Sequence, residues 1–438
     1  MNLSPTAQKA INTLEQAGFE AFIVGGSVRD LLMGKPPKDI DITTNALPAQ
    51  TKEAFQGFTV IETGLKHGTV TVLIEGEPVE ITTYRIESDY SDNRHPDSVA
   101  FTQNLREDLA RRDFTINALA MDSKGTVQDF FGGREDIAAG LIRCVGDADE
   151  RFNEDGLRIL RGLRFASVLG FSIDSRTAEA IHKNRDLLKN ISAERVFAEL
   201  SKAICGVNIE AVLKEYNDVF VAIIPEFKPA VGFLQHNKHH CFDVWEHTAR
   251  AVHSAPAEPV IRWAALLHDI GKPYCFTQEE NGTGHFYGHP RKSKELSADI
   301  MERLKFDSAT RDKVLLLVAL HDNPIPNEKP AIKRFLNKHG KETMKELLSL
   351  QHADNLAQAP AYRGRQAELD SIEHTLEEVI AEESCFSLKQ LAVNGNDLIQ
   401  LGLKGTEIGE ALNQLLELVI EGAVENDRDV LLELVKAE

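Results

Sequence analysis

Two aspartates, Asp39 and Asp41, are separated by a single residue inside an apolar run near the N-terminus. On a β-strand that spacing points both carboxylates to the same face. Two adjacent carboxylates suit a pair of Mg²⁺ ions, which could hold a triphosphate and activate an attacking hydroxyl. The pattern therefore predicts a metal-dependent site in which Asp39 and Asp41 are the catalytic residues.

The segment before this pair is suited to binding phosphate. Phe22–Val24 is a short apolar run of the kind that forms a buried strand. Gly25 and Gly26 end the run and let the backbone approach a ligand closely, and Val28–Met33 is predicted to be a helix. The free N–H groups and positive dipole end of a helix N-terminus favour a triphosphate.

The two segments together read Gly-Gly-x-Val-Arg-Asp at 25–30 and Asp-Ile-Asp-Ile at 39–42. This order resembles the signature of the nucleotidyltransferase superfamily and, within it, the class II tRNA CCA-adding enzymes and bacterial poly(A) polymerases. The resemblance implies that a tRNA 3′-hydroxyl, deprotonated near Mg²⁺, attacks the α-phosphate of CTP or ATP and releases pyrophosphate. It also implies that Gly26 and Arg29 hold the leaving triphosphate.

A third segment, Arg-Arg-Asp-Phe-Thr-Ile-Asn-Ala-Leu at 111–119, also resembles a motif of this family. Thr115 could simply cap a helix over the apolar residues that follow, but this would not explain two arginines directly before an aspartate. Because a guanidinium can grip phosphate oxygens in a bidentate manner, Arg112 is expected to contact the triphosphate or the sugar. Glu80, on a predicted strand, is either a third carboxylate for the metal ions or a solvated strand position.

Three arginines, Arg158, Arg161 and Arg164, recur at every third residue and therefore share one helical face. Asp155 lies one turn earlier, and Glu-Asp-x-x-Arg resembles the family motif that selects C and A without a nucleic-acid template. In a salt-bridged Asp155–Arg158 pair, the carboxylate would accept from cytosine N4 or adenine N6, and the guanidinium would donate to their ring acceptors. A guanine or uracil edge would leave buried polar groups unpaired, at about 1–3 kcal/mol each. Arg161 and Arg164 are expected to serve the triphosphate or the tRNA end.

Two more segments resemble supporting elements of the family. Residues 84–109 are polar and are similar to the flexible loop that helps the active site change from CTP to ATP, which favours completion of the whole CCA end. Ser192 is expected to cap a helix in which Glu194 and Arg195 brace the neck without taking part in catalysis.

The second half of the chain carries a series of histidines and aspartates on successive predicted helices or their ends. Such a series suits a divalent transition metal, although it does not decide between Ni²⁺, Mn²⁺, Co²⁺ and Zn²⁺. It resembles an HD phosphohydrolase domain, in which a metal-bound hydroxide would cleave phosphate monoesters or 2′,3′-cyclic phosphates, and Lys272 could contact the phosphate. The resemblance assigns a first metal to His247, His268, Asp269 and Asp354, and a second metal to His289 and His321.

Composition places limits on these interpretations. A chain of 438 residues suggests two to four domains. Its formal charge of −19 argues, taken alone, against a nucleic-acid partner, but bulk charge says little about a local groove. No apolar run approaches the ~20 residues that span a bilayer, and no signal-peptide pattern is present, so no membrane partner is expected. Five scattered cysteines indicate reduced thiols and a cytoplasmic location.

The sequence thus predicts an α+β protein whose small N-terminal head has a mixed or antiparallel sheet, followed by an all-α neck, an HD body and a tail. The predicted ranges are 1–140 for the head, 141–205 for the neck, 206–365 for the body and 366–438 for the tail. In the tail, the Gly402–Gly405 turn with Lys404 could touch the tRNA backbone or simply join two helices.

The predicted function is addition of CCA to tRNA from CTP and ATP. Poly(A) synthesis and partial C or A addition are alternatives, and so is an HD phosphohydrolase that uses the head as a binding module.

Overall fold

The computed structural model describes residues 3–37, 39–62, 64–88, 98–237, 241–382 and 384–437. The chain divides into two compact units between Pro225 and Glu226. The predicted division into four parts is finer than this and stays a prediction. The boundary of the two units falls inside the range predicted as the body.

The first unit begins with the predicted head. Its strands are β1 Ala21–Val24, β2 Ile40–Thr44, β3 Thr59–Ile61, β4 Thr69–Ile74, β5 Glu77–Thr83, β6 Arg85–Ser88, β7 Ser98–Phe101, β8 Leu119–Met121 and β9 Val127–Asp129. Its helices are α1 Pro5–Gln16, α2 Gly26–Leu32, α3 Pro48–Ala54, α4 Leu105–Ala110 and α5 Gly133–Ala139.

Seven of these strands form one sheet in the order β3-β4-β5-β2-β1-β8-β9. Strands β2 and β5 are parallel, and the other neighbouring pairs described in this sheet are antiparallel. The mixed sheet expected from the sequence is therefore confirmed. Strands β6 and β7 pair with each other as a separate antiparallel ribbon. They flank residues 89–97, the centre of the predicted flexible loop, which lie outside the described residues.

Helix α1 covers part of the sheet with the face that its periodicity predicts. Ala7, Ile11 and Leu14 are buried in the same core cluster as Ile23 and Ile42 of the two central strands. The helix starts at Pro5, because the Ser4 side chain accepts a hydrogen bond from the Ala7 N–H and satisfies one of the free donors of the first turn. This packing holds the centre of the sheet, from which the aspartate pair projects.

The segment after Arg112 differs from the helix that Thr115 could have capped. Thr115–Asn117 is a single 3₁₀ turn, and the apolar residues after it enter β8 beside β1. The Gly25 N–H donates to the Leu119 carbonyl, 3.2 Å away. A strand is favoured over a helix here because it pairs this backbone with β1 and buries Leu119 and Met121 completely. The turn therefore comes to lie beside the glycine pair.

The rest of the first unit is helical, apart from one short parallel pair of strands, β10 and β11. That pair adds a small β element to a neck predicted to be all-α. The elements are β10 Leu141–Ile142, α6 Ala148–Glu154, α7 Leu157–Leu169, β11 Ser172–Ile173, α8 Ser175–Asn184, α9 Ala193–Ile204, α10 Ile209–Glu215 and α11 Asn217–Ile223.

The second unit is also helical, with one short antiparallel pair, β12 and β13. Its elements are α12 Val244–Ser254, α13 Pro259–Leu267, β12 Thr277–Gln278, β13 Gly284–His285, α14 His289–Arg303, α15 Ser308–Leu320, α16 Lys329–His339, α17 Lys341–Ala357, α18 Arg365–Ala381, α19 Gly395–Gln400, α20 Thr406–Glu421 and α21 Arg428–Ala437. The predicted α+β class is confirmed. Over the part of the chain that the structure describes, no helix is both long and apolar enough to cross a membrane.

Candidate active sites

The aspartate pair lies where β2 meets β5. Asp41 is directly opposite Glu80 in the parallel register, so the two side chains share one face of the sheet. Asp39 comes immediately before β2 and is exposed. Burial, reinforced by the carboxylates of Glu80 and Asp39 and opposed by Arg112, raises the pKa of Asp41. Carboxylate oxygens are the donors that Mg²⁺ prefers.

The glycine bend is directly beside these acids. Gly25 has φ 71° and ψ −134°, which side chains disfavour, and a Cβ atom there would lie 2.9 Å from Arg112 Nη1. The Ser27 hydroxyl donates to the Asp39 carbonyl at 2.7 Å and fixes the start of α2 against the start of β2. The bend, the arginine and the acids are therefore held in one place.

Arg29 connects the glycine bend with the segment at 111–119. Its Nη1 donates to Asn117 Oδ1 at 2.7 Å, and its Nε and Nη2 donate to Asp30 Oδ1 at 3.0 and 2.8 Å. The Asn117 amide in turn donates to Asp113 Oδ1 at 3.2 Å. Motifs that are about ninety residues apart in sequence thus form one hydrogen-bonded network.

The other arginines of the site are held by acidic partners. Arg161 donates through Nε and Nη2 to Asp113 Oδ2 at 2.8 and 2.6 Å. Although burial opposes ionisation, Arg161 lowers the pKa of Asp113 to about 2. Arg164 donates to Glu199 Oε2 at 2.5 Å, and its guanidinium lies 3.9 Å from the centre of the Phe165 ring. These contacts fix the direction in which each guanidinium points.

The prediction of a salt bridge between Asp155 and Arg158 is wrong. Arg158 binds the Glu154 carboxylate and the carbonyl oxygens of Arg151 and Arg111, the latter two at 3.1 and 2.9 Å. Asp155 instead accepts from the Leu157 N–H at 3.0 Å and from Arg195 Nη2 at 2.9 Å. Glu154 is the last residue of α6, and Asp155 follows it in an extended conformation. The Asp155 carboxylate is therefore directed to the first N–H of α7 and not to Arg158.

All of the predicted head and neck residues except Glu80 line one cavity of about 720 Å³. The cavity wall contains eight arginines together with Asp39, Asp41, Asp113 and Asp155. Arg195 was expected only to brace the neck, yet it lies in this wall and pairs with Asp155. Asn117 and Asp113 were also missed as site residues, although their place in the motif at 111–119 was a signal that could have identified them. Locally, this arginine-rich groove outweighs the acidic total of the chain.

In the second unit, the predicted metal ligands come together from five helices or their ends. His247 lies in α12, His268 and Asp269 follow α13, His289 begins α14, His321 follows α15, and Asp354 lies in α17. They form two overlapping groups that could each hold an ion, one of His247, His268, Asp269 and Asp354 and one of Asp269, His289 and His321.

Asp269 lies between the two groups. Its Oδ2 is 3.3 Å from His247 Nε2 and 3.1 Å from His268 Nε2, and its Oδ1 is 3.3 Å from His289 Nε2. Asp354 Oδ1 closes the first group at 2.9 Å from His247 Nε2. One carboxylate with an oxygen in each group could bridge two metal ions.

The histidine rings are oriented by backbone carbonyls. The Nδ1 atoms of His268, His289 and His321 lie 2.7, 2.9 and 2.8 Å from the carbonyl oxygens of Ala265, Phe286 and Val318. A donor Nδ1–H at each contact leaves Nε2 as the free acceptor that faces the cluster, which is the usual arrangement behind a metal-bound histidine. Buried Nε2 of His268 and both oxygens of Asp269 also lack a regular hydrogen bond. The residues therefore fit a transition metal.

The charge balance of the cluster favours a cation. Burial alone would lower the pKa of His268, but Asp269 and Asp354 raise it to about 10. Lys272, expected to contact a phosphate, is itself buried. Its ammonium lies 2.7 Å from Asp269 Oδ2 and donates to Gln235 Oε1 at 2.9 Å. Lys272 thus contacts a metal-ligand candidate in this structure, and the phosphate contact stays a prediction.

Comparison with known proteins agrees with both sites. Residues 21–143 match the family model described as the Poly A polymerase head domain, and residues 170–230 match the model described as a probable RNA and SrmB-binding site of polymerase A. Residues 238–359 match the HD domain. Fold and sites together define a nucleotidyltransferase that carries an HD domain.

Individual relatives narrow this class. The CCA-adding enzyme of Lactobacillus helveticus is 35% identical over 427 residues, which cover 97% of this chain and 95% of that protein. The CCA-adding enzyme of Lactiplantibacillus plantarum is 51% identical over 200 residues, 46% of this chain and 49% of that protein. The Bacillus stearothermophilus CCA-adding enzyme, solved in complex with CTP, matches with a TM-score of 0.73 and 29% identity over 99% of this chain and 98% of that one. The chain belongs to the family of CCA-adding enzymes.

Proposed function

We propose that this enzyme adds CCA to the 3′ end of tRNA, without a template, from CTP and ATP. The observation that carries the proposal is the single cavity in which Asp39 and Asp41 meet the glycine bend and the arginines of the neck. The names of the full-length relatives, and the CTP complex of the Bacillus stearothermophilus enzyme, support the same conclusion. Relatives named for CCA addition favour this function over poly(A) synthesis.

Asp39 and Asp41, with Glu80 beside them, would hold Mg²⁺, which neutralises the triphosphate and makes the attacking hydroxyl more acidic. Arg29 and Arg112 would orient the triphosphate through their guanidinium groups. The backbone at Gly25 and Gly26 can approach phosphate closely because neither residue has a side chain. A Cβ atom at Gly25 would also lie 2.9 Å from Arg112 Nη1. In this arrangement the protein would position the phosphates, and the metal ions would neutralise their negative charge.

Base selection would use Asp155 and Arg158. The described contacts of Arg158 use its two Nη groups, so its Nε–H remains available to donate to a ring acceptor of cytosine or adenine. Asp155 would accept from the exocyclic amino group of the base. Arg195 would orient Asp155 for this role, and Glu154 would orient Arg158. Asp155 and Arg158 therefore each have a separate charged partner, whereas the sequence analysis expected them to form a salt bridge with each other.

Arg161 and Arg164 would contact the triphosphate or the tRNA end from positions set by Asp113 and Glu199. In the predicted tail, Gly402 and Gly405 both have positive φ and form the turn before α20. The Lys404 N–H is bonded to Glu407 at 3.0 Å, so a contact of this turn with the tRNA backbone would come from the Lys404 side chain.

An assay with tRNA that lacks its CCA end and with labelled CTP and ATP tests the proposal. Addition of C, C and A in that order is expected. Addition of C alone or A alone would indicate a partial enzyme, and a long run of A would indicate a poly(A) polymerase. The absence of any addition would leave the head as a binding module.

We infer a second activity, metal-dependent hydrolysis of phosphate monoesters or 2′,3′-cyclic phosphates, for the cluster in the second unit. The observation that favours it is the convergence of four Nε2 atoms on the carboxylate of Asp269. A bound metal would supply a hydroxide near neutral pH. Hydrolysis should vanish after chelation, return with one or more of Ni²⁺, Mn²⁺, Co²⁺ and Zn²⁺, and stay absent in Asp269→Ala. Hydrolysis retained by that variant would refute the assignment.

A further inference from the structure

The histidine–aspartate cluster of the second unit opens into a cavity of about 1050 Å³. A cavity of this size accommodates a ligand much larger than a phosphate group. Its wall includes His289, His321 and Asp269 of the cluster and also the aromatic side chains of His285 and Tyr287. The cavity therefore offers a surface for the part of a substrate that is not phosphate.

The segment 284–289 holds these aromatic residues in a fixed direction. The Phe286 ring packs 5.6 Å from Phe276 and 6.5 Å from Phe233, which anchors this residue among other aromatic side chains. The Phe286 carbonyl also contacts His289 Nδ1 at 2.9 Å. Phe286 lies in the wall of the same cavity as His285 and Tyr287, and Tyr287 and Gly288 form the turn that leads into α14, so this anchor fixes the backbone that carries both rings.

His285 and Tyr287 form a stacked pair. Their ring centres are 5.2 Å apart and the ring planes differ by 8°. Glu279 contacts His285 Nε2 at 2.8 Å and holds the His285 ring in place beneath Tyr287. The Tyr287 side chain is nevertheless 77% exposed, the most exposed of the large hydrophobic side chains in the described chain. One face of a supported aromatic ring is thus open to a planar ligand.

We propose that Tyr287, backed by His285, stacks on the base of a nucleotide whose phosphate ester is hydrolysed at the histidine–aspartate cluster. Tyr287 is two residues before His289, a backbone span of at most about 7 Å, which suits a base and a phosphate joined by one ribose. Because every base has a π face, stacking of this kind tolerates all four bases. The inference rests on the proposed phosphohydrolase function and names its substrate class.

The test compares Tyr287→Ala with wild type in the full-length protein. The substrates are adenosine 3′-monophosphate, a short RNA with a 3′-phosphate, and glycerol 2-phosphate, which has no ring. We expect KM for adenosine 3′-monophosphate, for the RNA or for both to rise about tenfold in Tyr287→Ala, with kcat and glycerol 2-phosphate hydrolysis unchanged. The substrate whose KM rises shows whether the base comes from a free nucleotide or an RNA end.

Tyr274→Ala is the matched control, since Tyr274 is an exposed tyrosine of the same unit that lies outside the cavity wall. It should leave all three substrates unaffected, and Tyr287→Trp should restore the KM lost in Tyr287→Ala. Equal losses on glycerol 2-phosphate and on the nucleotides would show a structural role and overturn the proposal.

A second measurement separates this inference from the hydrolase proposal. Equilibrium dialysis with adenosine 3′-monophosphate and chelated full-length protein, in the Asp41→Asn background, reports on binding without hydrolysis. About tenfold weaker binding in Tyr287→Ala supports the stacking residue even if wild type hydrolyses none of the substrates, which would refute the hydrolase alone. Unchanged binding together with an unchanged KM would refute the stacking role.

Discussion

Glu80 is a residue whose role the sequence left open. The parallel register places it opposite Asp41, and its charge contributes to the raised pKa of that aspartate. Glu80 is nevertheless exposed and lies outside the wall of the cavity. A role for Glu80 as a third carboxylate that helps to hold the metal ions therefore stays a prediction.

We expect Glu80→Gln to lower kcat for nucleotide addition about 10- to 100-fold, because it removes a charge beside the metal ligands. The loss should shrink as Mg²⁺ is raised, which a titration of activity against Mg²⁺ would show. Glu75→Gln, at an exposed position paired with Lys9, is the matched control and should behave as wild type. If Glu80→Gln kept wild-type activity at low Mg²⁺, Glu80 would be a solvated strand position with no role in metal binding.

Arg195 is the residue whose importance the sequence understated. It lies forty residues beyond Asp155 in the chain, and its Nη2 binds the Asp155 carboxylate at 2.9 Å. A reading carboxylate that is free to rotate would accept hydrogen bonds from the wrong bases at little cost. The contact predicts a positioning role for Arg195 in the base selection proposed for Asp155.

Arg195→Ala should therefore reduce the preference for CTP and ATP over UTP and GTP about tenfold, as expected for the loss of one charged hydrogen bond. The readout is the ratio of kcat/KM values between nucleotides, which a general loss of stability would not change. Arg195→Lys should recover part of the preference, and Arg134→Ala, at an exposed arginine, should keep it. An unchanged ratio in Arg195→Ala would remove the positioning role.

At the scale of elements, periodicity and turn residues predicted most of the fold. The spacing of Ala7, Ile11 and Leu14 predicts α1. The β-rich runs at 59–61, 69–74 and 79–83 predict β3, β4 and β5, and only β5 differs, since it begins two residues earlier, at Glu77. The segment after Thr115 remained open, because a short apolar run can form a helix or a strand and only the pairing with β1 decides.

The candidate sites were predictable to a different extent. The candidate HD ligands could be named from their resemblance to a known series of motifs, and the structure brings these side chains together. The partners of Asp155 and Arg158 could not be, because ion pairs between separate elements depend on packing that no periodic pattern records. Arg195 on α9 pairs with Asp155 at the end of α6, and Glu199 on α9 pairs with Arg164 on α7.

The turn between β1 and α2 connects element geometry to function. Gly25 has the positive φ that this turn requires, and a Cβ atom would lie 2.9 Å from Arg112 Nη1. Gly25→Ala should cost about 1–3 kcal/mol of unfolding free energy and also raise KM for CTP by displacing Arg112. Urea unfolding and steady-state kinetics would measure the two effects.

Gly18→Ala separates strain from displacement. Gly18 also has positive φ, at 87°, but nothing lies within 4 Å of the position of its Cβ. Gly18→Ala should therefore lose stability with KM for CTP unchanged. If both variants raised KM equally, backbone strain alone would explain the effect and Arg112 would not be the cause.

At the scale of the whole molecule, the two candidate sites lie in separate compact units. The chain is acidic overall, with a formal charge of −19, yet eight arginines line the cavity of the first unit. Net charge therefore describes the surface average and not the nucleotide site. The two units also differ in the donors that they offer to a metal ion, since the first presents carboxylates and the second mainly imidazoles.

This difference predicts separable effects of metal removal. The cluster joins α12, α13, α14, α15 and α17 through buried side chains, so a bound ion should stabilise the second unit as a whole. An ion present at a hundred times its Kd contributes about 2.7 kcal/mol. Chelation should therefore lower the unfolding temperature of the second unit in calorimetry, and a transition metal should restore it. Asp269→Ala should abolish that response but keep nucleotide addition, and Asp41→Asn should do the reverse. Loss of both properties in either single variant would show that the sites are coupled.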